Sequence, residues 1–136
     1  MQYTEAFMNT SLNQLLLPGE KNLCAVYCGF PDTGFFARPG TIKTGFLTCT
    51  DFDRLLIAKN YFGKFATGSF RLNSLKQLKI KKNLFGQQVI EAVFSTEQKD
   101  IKLKIQIAPK VFGVDFPNQK NHLDKLLEIL QKYETP

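Results

Sequence analysis

The residues of this chain able to do chemistry are few: one histidine, three cysteines, two closely spaced aspartates, a glycine-containing loop and a run of lysines. His122 offers the sole imidazole for general base work, and no serine or cysteine stands near it in a nucleophile motif. It flanks a leucine stripe and reads as a boundary histidine. Asp51 and Asp53 bracket Phe52 and could be taken for paired carboxylates. Aspartate is equally favoured in turns, where its side chain accepts backbone N–H groups, and turn chemistry is the reading adopted. Cys24 and Cys28 share one face of an extended segment about 13 Å apart, too far for one metal with bonds of ~2.3 Å to sulfur. Cys49 would lie opposite one of them if the first two strands pair. An odd number of cysteines in a chain read as cytoplasmic points to reduced, buried thiols. Gly34 to Gly40 has neither the Gly-Lys-Ser/Thr ending nor the helix of a phosphate loop. We therefore expect no catalytic residue, no metal and no cofactor, and no enzyme.

Charge is the stronger signal. Eight lysines between Lys76 and Lys110 are set against Glu91, Glu97 and Asp100, so this segment supplies +5 of the net +6. Such a field draws anionic lipid, acidic protein or nucleic acid. Lys79 and Lys81 on one strand and Lys102 and Lys104 on another would share an outer face. Between them the outward positions are Val89, Glu91 and Val93 instead of stacking aromatics, which argues against nucleic acid. A mildly apolar strip ringed by lysine fits a protein contact or an incidental solvated face better. A second candidate is the loop 31–43, where Phe35, Phe36 and Arg38 precede Lys43. Two aromatics beside cations suit a membrane interface or a partner pocket.

The elements that must position these groups follow from apolar periodicity. Thr4 to Leu17 carries Phe7 or Met8, Leu12, Leu15 and Leu16 near helical spacing and is stopped by Pro18-Gly19. Period-two alternation then predicts strands at Leu23 to Phe30, Lys43 to Thr50, Arg54 to Lys59, Ala66 to Leu72, Leu78 to Leu84, Gln88 to Ser95 and Ile101 to Ile107. Turns are expected at Asp51 to Asp53, at Asn60 to Lys64 and at Gly86. Leu123, Leu126, Leu127 and Leu130 fall at i, i+3, i+4 and i+7, which predicts a capping helix over 118–133 that plugs the sheet. The whole is expected to be one domain of 136 residues: an N-terminal helix at 1–17, a β-barrel at 23–109 and the capping helix. The longest apolar run is Leu55 to Ala58, far short of the ~20 residues that span a bilayer, and the N-terminus has no signal-peptide pattern.

Leu16-Leu17-Pro18-Gly19-Glu20-Lys21, the stretch Gly45 to Thr50 running on to Arg54-Leu55-Leu56-Ile57, and Phe70-Arg71-Leu72 through Lys82-Asn83-Leu84-Phe85-Gly86 together resemble the bacterial branch of the pleckstrin-homology superfold and the related GRAM domains. The resemblance spans about Leu16 to Tyr133. It implies seven antiparallel strands in a half-open barrel or sandwich, mainly β with α, capped by a C-terminal helix. Asp51-Phe52-Asp53 puts three residues where the bacterial pattern usually has two. The phosphoinositide-binding members imply a basic loop followed by a K/R-x-R motif. Here Gly45 stands at the second basic position, so that headgroup motif is absent.

The reading is a non-enzymatic interaction module, cytoplasmic, that works through protein contacts or self-association through the N-terminal helix or a sheet edge. The alternative is reversible peripheral binding to anionic membrane through Phe35, Phe36, Arg38 and Lys43, aided by Lys79, Lys81, Lys102 and Lys104.

Overall fold

The computed structural model describes residues 4–31, 42–61, 64–111 and 116–135. Seven antiparallel strands form one sheet: β1 (Val26–Pro31), β2 (Ile42–Cys49), β3 (Arg54–Tyr61), β4 (Lys64–Arg71), β5 (Leu75–Lys82), β6 (Gln88–Ser95) and β7 (Asp100–Ile107). Helix α1 (Glu5–Asn13) precedes them and α2 (Gln119–Gln131) follows. The sheet order is β4-β3-β2-β1-β7-β6-β5. Phe70 on β4 stacks on Phe94 of β6, ring centroids 4.7 Å apart, although four strands lie between them in that order. The sheet must therefore curl until its two halves face each other. Leu123, Leu126 and Leu130 of α2 are buried in the space this creates, among Val26, Leu47, Ile57, Leu78, Ile90 and Ile105. The fold class and the capping role of the last helix are as the periodicity predicts.

A second apolar cluster lies on the opposite face of β1 to β3. Met8 and Leu12 of α1 pack there on Ala25, Phe46, Leu56 and Ala58, and Phe116 closes the side. These strands are buried on both faces, which explains why Leu55 to Ala58 runs apolar without alternation. Leu55 and Ile57 enter the inner core, whereas Leu56 and Ala58 lie under the helix.

Several boundaries shift for local reasons. Helix α1 ends at Asn13, not Leu17, because Leu15 and Leu16 turn back with N–H bonds to the Leu12 and Asn13 carbonyls. Thr4 caps its first turn, its Oγ1 accepting from Phe7 N at 3.1 Å. β1 begins at Val26 instead of Leu23, since the Cys24 N–H donates to Thr48 Oγ1 (3.2 Å) in place of a ladder carbonyl. β3 and β4 extend to Tyr61 and from Lys64, so the turn expected at 60–64 shortens to residues outside the described set. The largest correction concerns Leu84, which alternation placed on a strand. β5 stops at Lys82, and Leu84 stands in the turn fully exposed. Asn83 is the cause: its side-chain oxygen accepts from Phe85 N and Gln87 N at 3.0 and 2.9 Å, and its N–H bonds the Gln87 carbonyl.

Gln119 is a buried polar residue that no periodicity marks. β1 and β7 pair at Gly29 and Gln106, and the next rung would join Tyr27 to Ala108. The Gln119 amide supplies that rung, accepting from Tyr27 N (3.0 Å) and donating to Tyr27 O (2.9 Å) and Ala108 O (3.0 Å). One side chain thus stitches the two halves of the sheet at the seam.

Candidate functional site

The four strand lysines meet as expected. In the ladders Lys79 pairs with Glu91 and Glu91 with Lys104, while Val93 stands between Gln77 and Lys102. Alternation turns all of these outward, away from Leu78, Ile90, Ala92 and Ile105 in the core. They line an open groove of about 370 Å³ on the outer face of β5 to β7, with Lys79, Glu91, Val93, Lys102 and Lys104 around it. Glu91 sits at its centre and forms an exposed ion pair with Lys81 at 3.6 Å. Lys76 similarly meets Asp100 at 2.9 Å near one end. Exposed pairs of this kind contribute little to stability, and the lysines stay available to an incoming anion.

Lys43 is not part of this face. It pairs with Phe30 at the far end of the β1–β2 ladder, on the parity of the core residues Leu47 and Cys49. Phe35, Phe36 and Arg38 lie outside the described residues. Gly45, at the position where the phosphoinositide motif has its second basic residue, has a steric reason to be glycine. A Cβ there would come within 2.2 Å of the Ala58 carbonyl oxygen and 3.0 Å of the Phe30 ring.

The groups weighed for chemistry take structural roles. The His122 ring nitrogen Nδ1 donates to Ala25 O at 2.8 Å and ties α2 to the segment before β1. Asp51 accepts from Lys21 N at 2.7 Å, which ties its turn to a distant segment instead of bonding within the turn as expected. Asp53 occupies the left-handed region at φ 55°, as the long β2–β3 turn demands. The three cysteines are free and buried. Cys49 stands opposite Cys24, with Leu23 N donating to Cys49 O at 3.0 Å. Hydrogen bonding between these two thiols lowers Cys24 and raises Cys49 well above the usual thiol range. Burial alone pushes Cys28 up strongly. Among the described residues no three His, Cys, Asp or Glu side chains cluster as a metal site would require.

Two of the phrases behind the resemblance meet in space, which their separate reading did not foresee. Glu20 and Arg54 form a buried ion pair: Arg54 Nε and Nη2 donate to the carboxylate at 2.9 and 2.8 Å. Thr50 Oγ1 and Leu17 N donate to the same carboxylate, and Arg54 also reaches Leu15 O at 2.9 Å. Burial pushes the Glu20 carboxyl up, but the hydrogen bonds from Arg54, Thr50 and Leu17 outweigh it and hold the group down at about 2. This clasp fastens the end of α1 to β3; it is structural.

Leu84 and Phe85 are the surface residues that alternation missed. Their exposures of 101% and 88% stand apart from Leu17 and Phe52, which are near half-exposed. The sequence did contain a signal, because Asn83 and Gly86 frame them as turn residues, and Gly86 adopts φ 77°.

The site and fold together define a seven-stranded antiparallel β-sandwich plugged by a C-terminal helix, with a lysine-ringed groove on one outer face. In architecture it is similar to the hSac2 domain from human phosphoinositide phosphatase Sac2, with a TM-score of 0.57 over 97% of this chain and 82% of that one, at 13% identity. No family model and no curated protein sequence matches the chain. Among the described residues no helix is long and apolar enough to cross a membrane.

Proposed function

We propose that residues 1–136 form a single pleckstrin-homology-like domain of the bacterial type that is not an enzyme and that binds anionic membrane surfaces reversibly through the outer face of β5 to β7. The observation behind this reading is the convergence of Lys79, Lys102 and Lys104 around an open groove, with Lys81 on the same face. A basic residue near an anionic surface contributes about 1 kcal/mol, so four supply roughly 4 kcal/mol against the opposing charge of Glu91. That corresponds to millimolar affinity, suited to a weak and reversible attachment. The likeness to a domain of a phosphoinositide phosphatase agrees with it at the level of fold. A peripheral position on the cytoplasmic side of a membrane follows.

Co-sedimentation with neutral and anionic vesicles at low and high salt tests the proposal. Pelleting with anionic vesicles alone, weakened by salt and lost in Lys102→Glu/Lys104→Glu, is the expected result. Equal pelleting of wild type and variant would remove the lysine face from the mechanism.

Protein contact is the second reading, and one observation favours it. Strand β4 pairs with β3 and, among the described residues, with no strand on its other side, so its backbone is open to β-augmentation. The opposite edge is less open: Thr135 bonds Leu78 in both directions and Glu134 accepts from Ile80 N. Self-association through the N-terminal helix loses its motive, because Met8 and Leu12 are already buried in their own chain. A solution mass that rises with concentration would support pairing through β4.

A further inference from the structure

We infer that the β5–β6 hairpin tip, Leu84 and Phe85, is a bilayer-inserting finger that anchors the lysine face to anionic lipid. The inference rests on the membrane reading above and adds the element that enters the apolar layer. Leu84 is 101% exposed and Phe85 88%, so neither ring nor isobutyl group has cover from its own chain. An apolar tip on a loose loop would fold back on the nearest surface. This one is held out by a built turn: Asn83 Oδ1 accepts from Phe85 N and Gln87 N, Asn83 Nδ2 donates to Gln87 Oε1 at 3.0 Å, and Gly86 N donates to Asn83 O at 3.1 Å. The ordering entropy that insertion would otherwise cost is already spent in folding.

The charges around the tip select the occupant. From Leu75 to Ile90 the sequence has no acidic residue, and Lys79, Lys81 and Lys82 lead directly into the turn, with the carboxylates of Glu91 on Lys81 and Glu134 on Ile80 N facing this strand. All three lysines are exposed. An apolar tip with a lysine collar complements a surface that is apolar within and negative at its rim, which is the interface of an anionic bilayer. Two such side chains enter the headgroup and acyl boundary to a depth of ~5–10 Å while lysine ammonium groups remain at phosphate level.

The chain has no tryptophan, so Phe85→Trp places a sole reporter at the tip. With phosphatidylcholine vesicles containing phosphatidylserine, its emission should shift to the blue and be quenched by lipids brominated in the acyl chain; pure phosphatidylcholine should leave it unchanged. Leu84→Ser/Phe85→Ser should weaken sedimentation with the anionic vesicles by about tenfold or more at unchanged melting temperature, because the tip has no contacts to lose. If wild type pellets in a lysine-dependent way while the reporter stays solvent-like and the serine variant pellets equally, the finger is overturned and the lysine-face reading stands. If wild type pellets with no vesicle, both fall. Binding of the tip to a protein partner without vesicle binding also overturns the inference.

Discussion

The two halves of the sheet share one inner core and differ in what covers their outer faces. β1 to β3 carry α1, Phe116 and the Phe7–Phe46–Phe65 ring cluster on the outside. β5 to β7 carry lysines, Glu91 and Val93, with Val89 buried and, among the described residues, no helix over them. The outer face of the first half is covered and forms an interior, leaving the β4 edge as its open backbone. The second is open, and the exposed tip between β5 and β6 belongs to it. Burial and exposed charge are thus divided between the halves, and if the lysine face binds as proposed, variants should divide the same way.

The largest effect is expected where both halves depend on one residue. Leu126 is fully buried between them. Leu126→Asp would place an unpaired charge there, which costs more than about 5 kcal/mol, comparable to the stability of a whole domain. The expected outcome is loss of the cooperative melt by circular dichroism. Two separate transitions would instead show that the halves hold themselves up independently, and the shared core would have to be abandoned. Deleting 1–15 would strip the cover from Phe46 and Leu56, so it reports on folding before it reports on association.

How much of this was legible in the sequence follows from which residues act through periodicity. The strands and the Leu123, Leu126, Leu130 stripe are period signals, and the lysine face is one too: Lys79, Lys81, Lys102 and Lys104 alternate with core residues, so pairing alone brings them together. Gln119, Thr48 and Glu20 act through hydrogen bonds to distant segments, and no spacing announces a partner 92 residues away. Leu84 shows the opposite failure. Its alternation with Ile80 was real, but Asn83 had already ended the strand by bonding the turn. The two-sided burial of β3 was visible as an unbroken apolar run, and only the position of α1 tells what it means.

A smaller effect tests the seam. Gln119→Leu keeps the volume and removes the rung that joins the halves at Tyr27 and Ala108. Three hydrogen bonds to the backbone of Tyr27 and Ala108 are lost, and leaving a buried group unsatisfied costs about 1 to 3 kcal/mol. A loss of roughly 3 kcal/mol in denaturant melts is expected, with amide exchange fastest at Tyr27 and Gly29. Unchanged exchange there would show that Gly29 and Gln106 hold the seam unaided, and the division of the sheet would lose its weak point.

The last expected effect is confined to the covered half and is read by pH. Glu20 sits at about 2 in the folded chain against an ordinary 4.5, held there by Arg54, Thr50 and Leu17. A depressed carboxyl stabilises the fold above its unfolded value and loses that contribution as pH falls toward its folded value. The window is therefore from about 4.5 down to about 2, and the shift corresponds to about 3 kcal/mol. Glu20→Gln cannot release a proton, so its melting temperature should fall less steeply across this window than that of wild type, although it is lower at neutral pH because Arg54 loses its counter-ion. Charge reversal at Lys102 and Lys104 should leave the slope in this window as it is. If Glu20→Gln and wild type run parallel from pH 5 to pH 2, the clasp contributes no proton-linked stability, and the covered half would be held by its apolar faces alone.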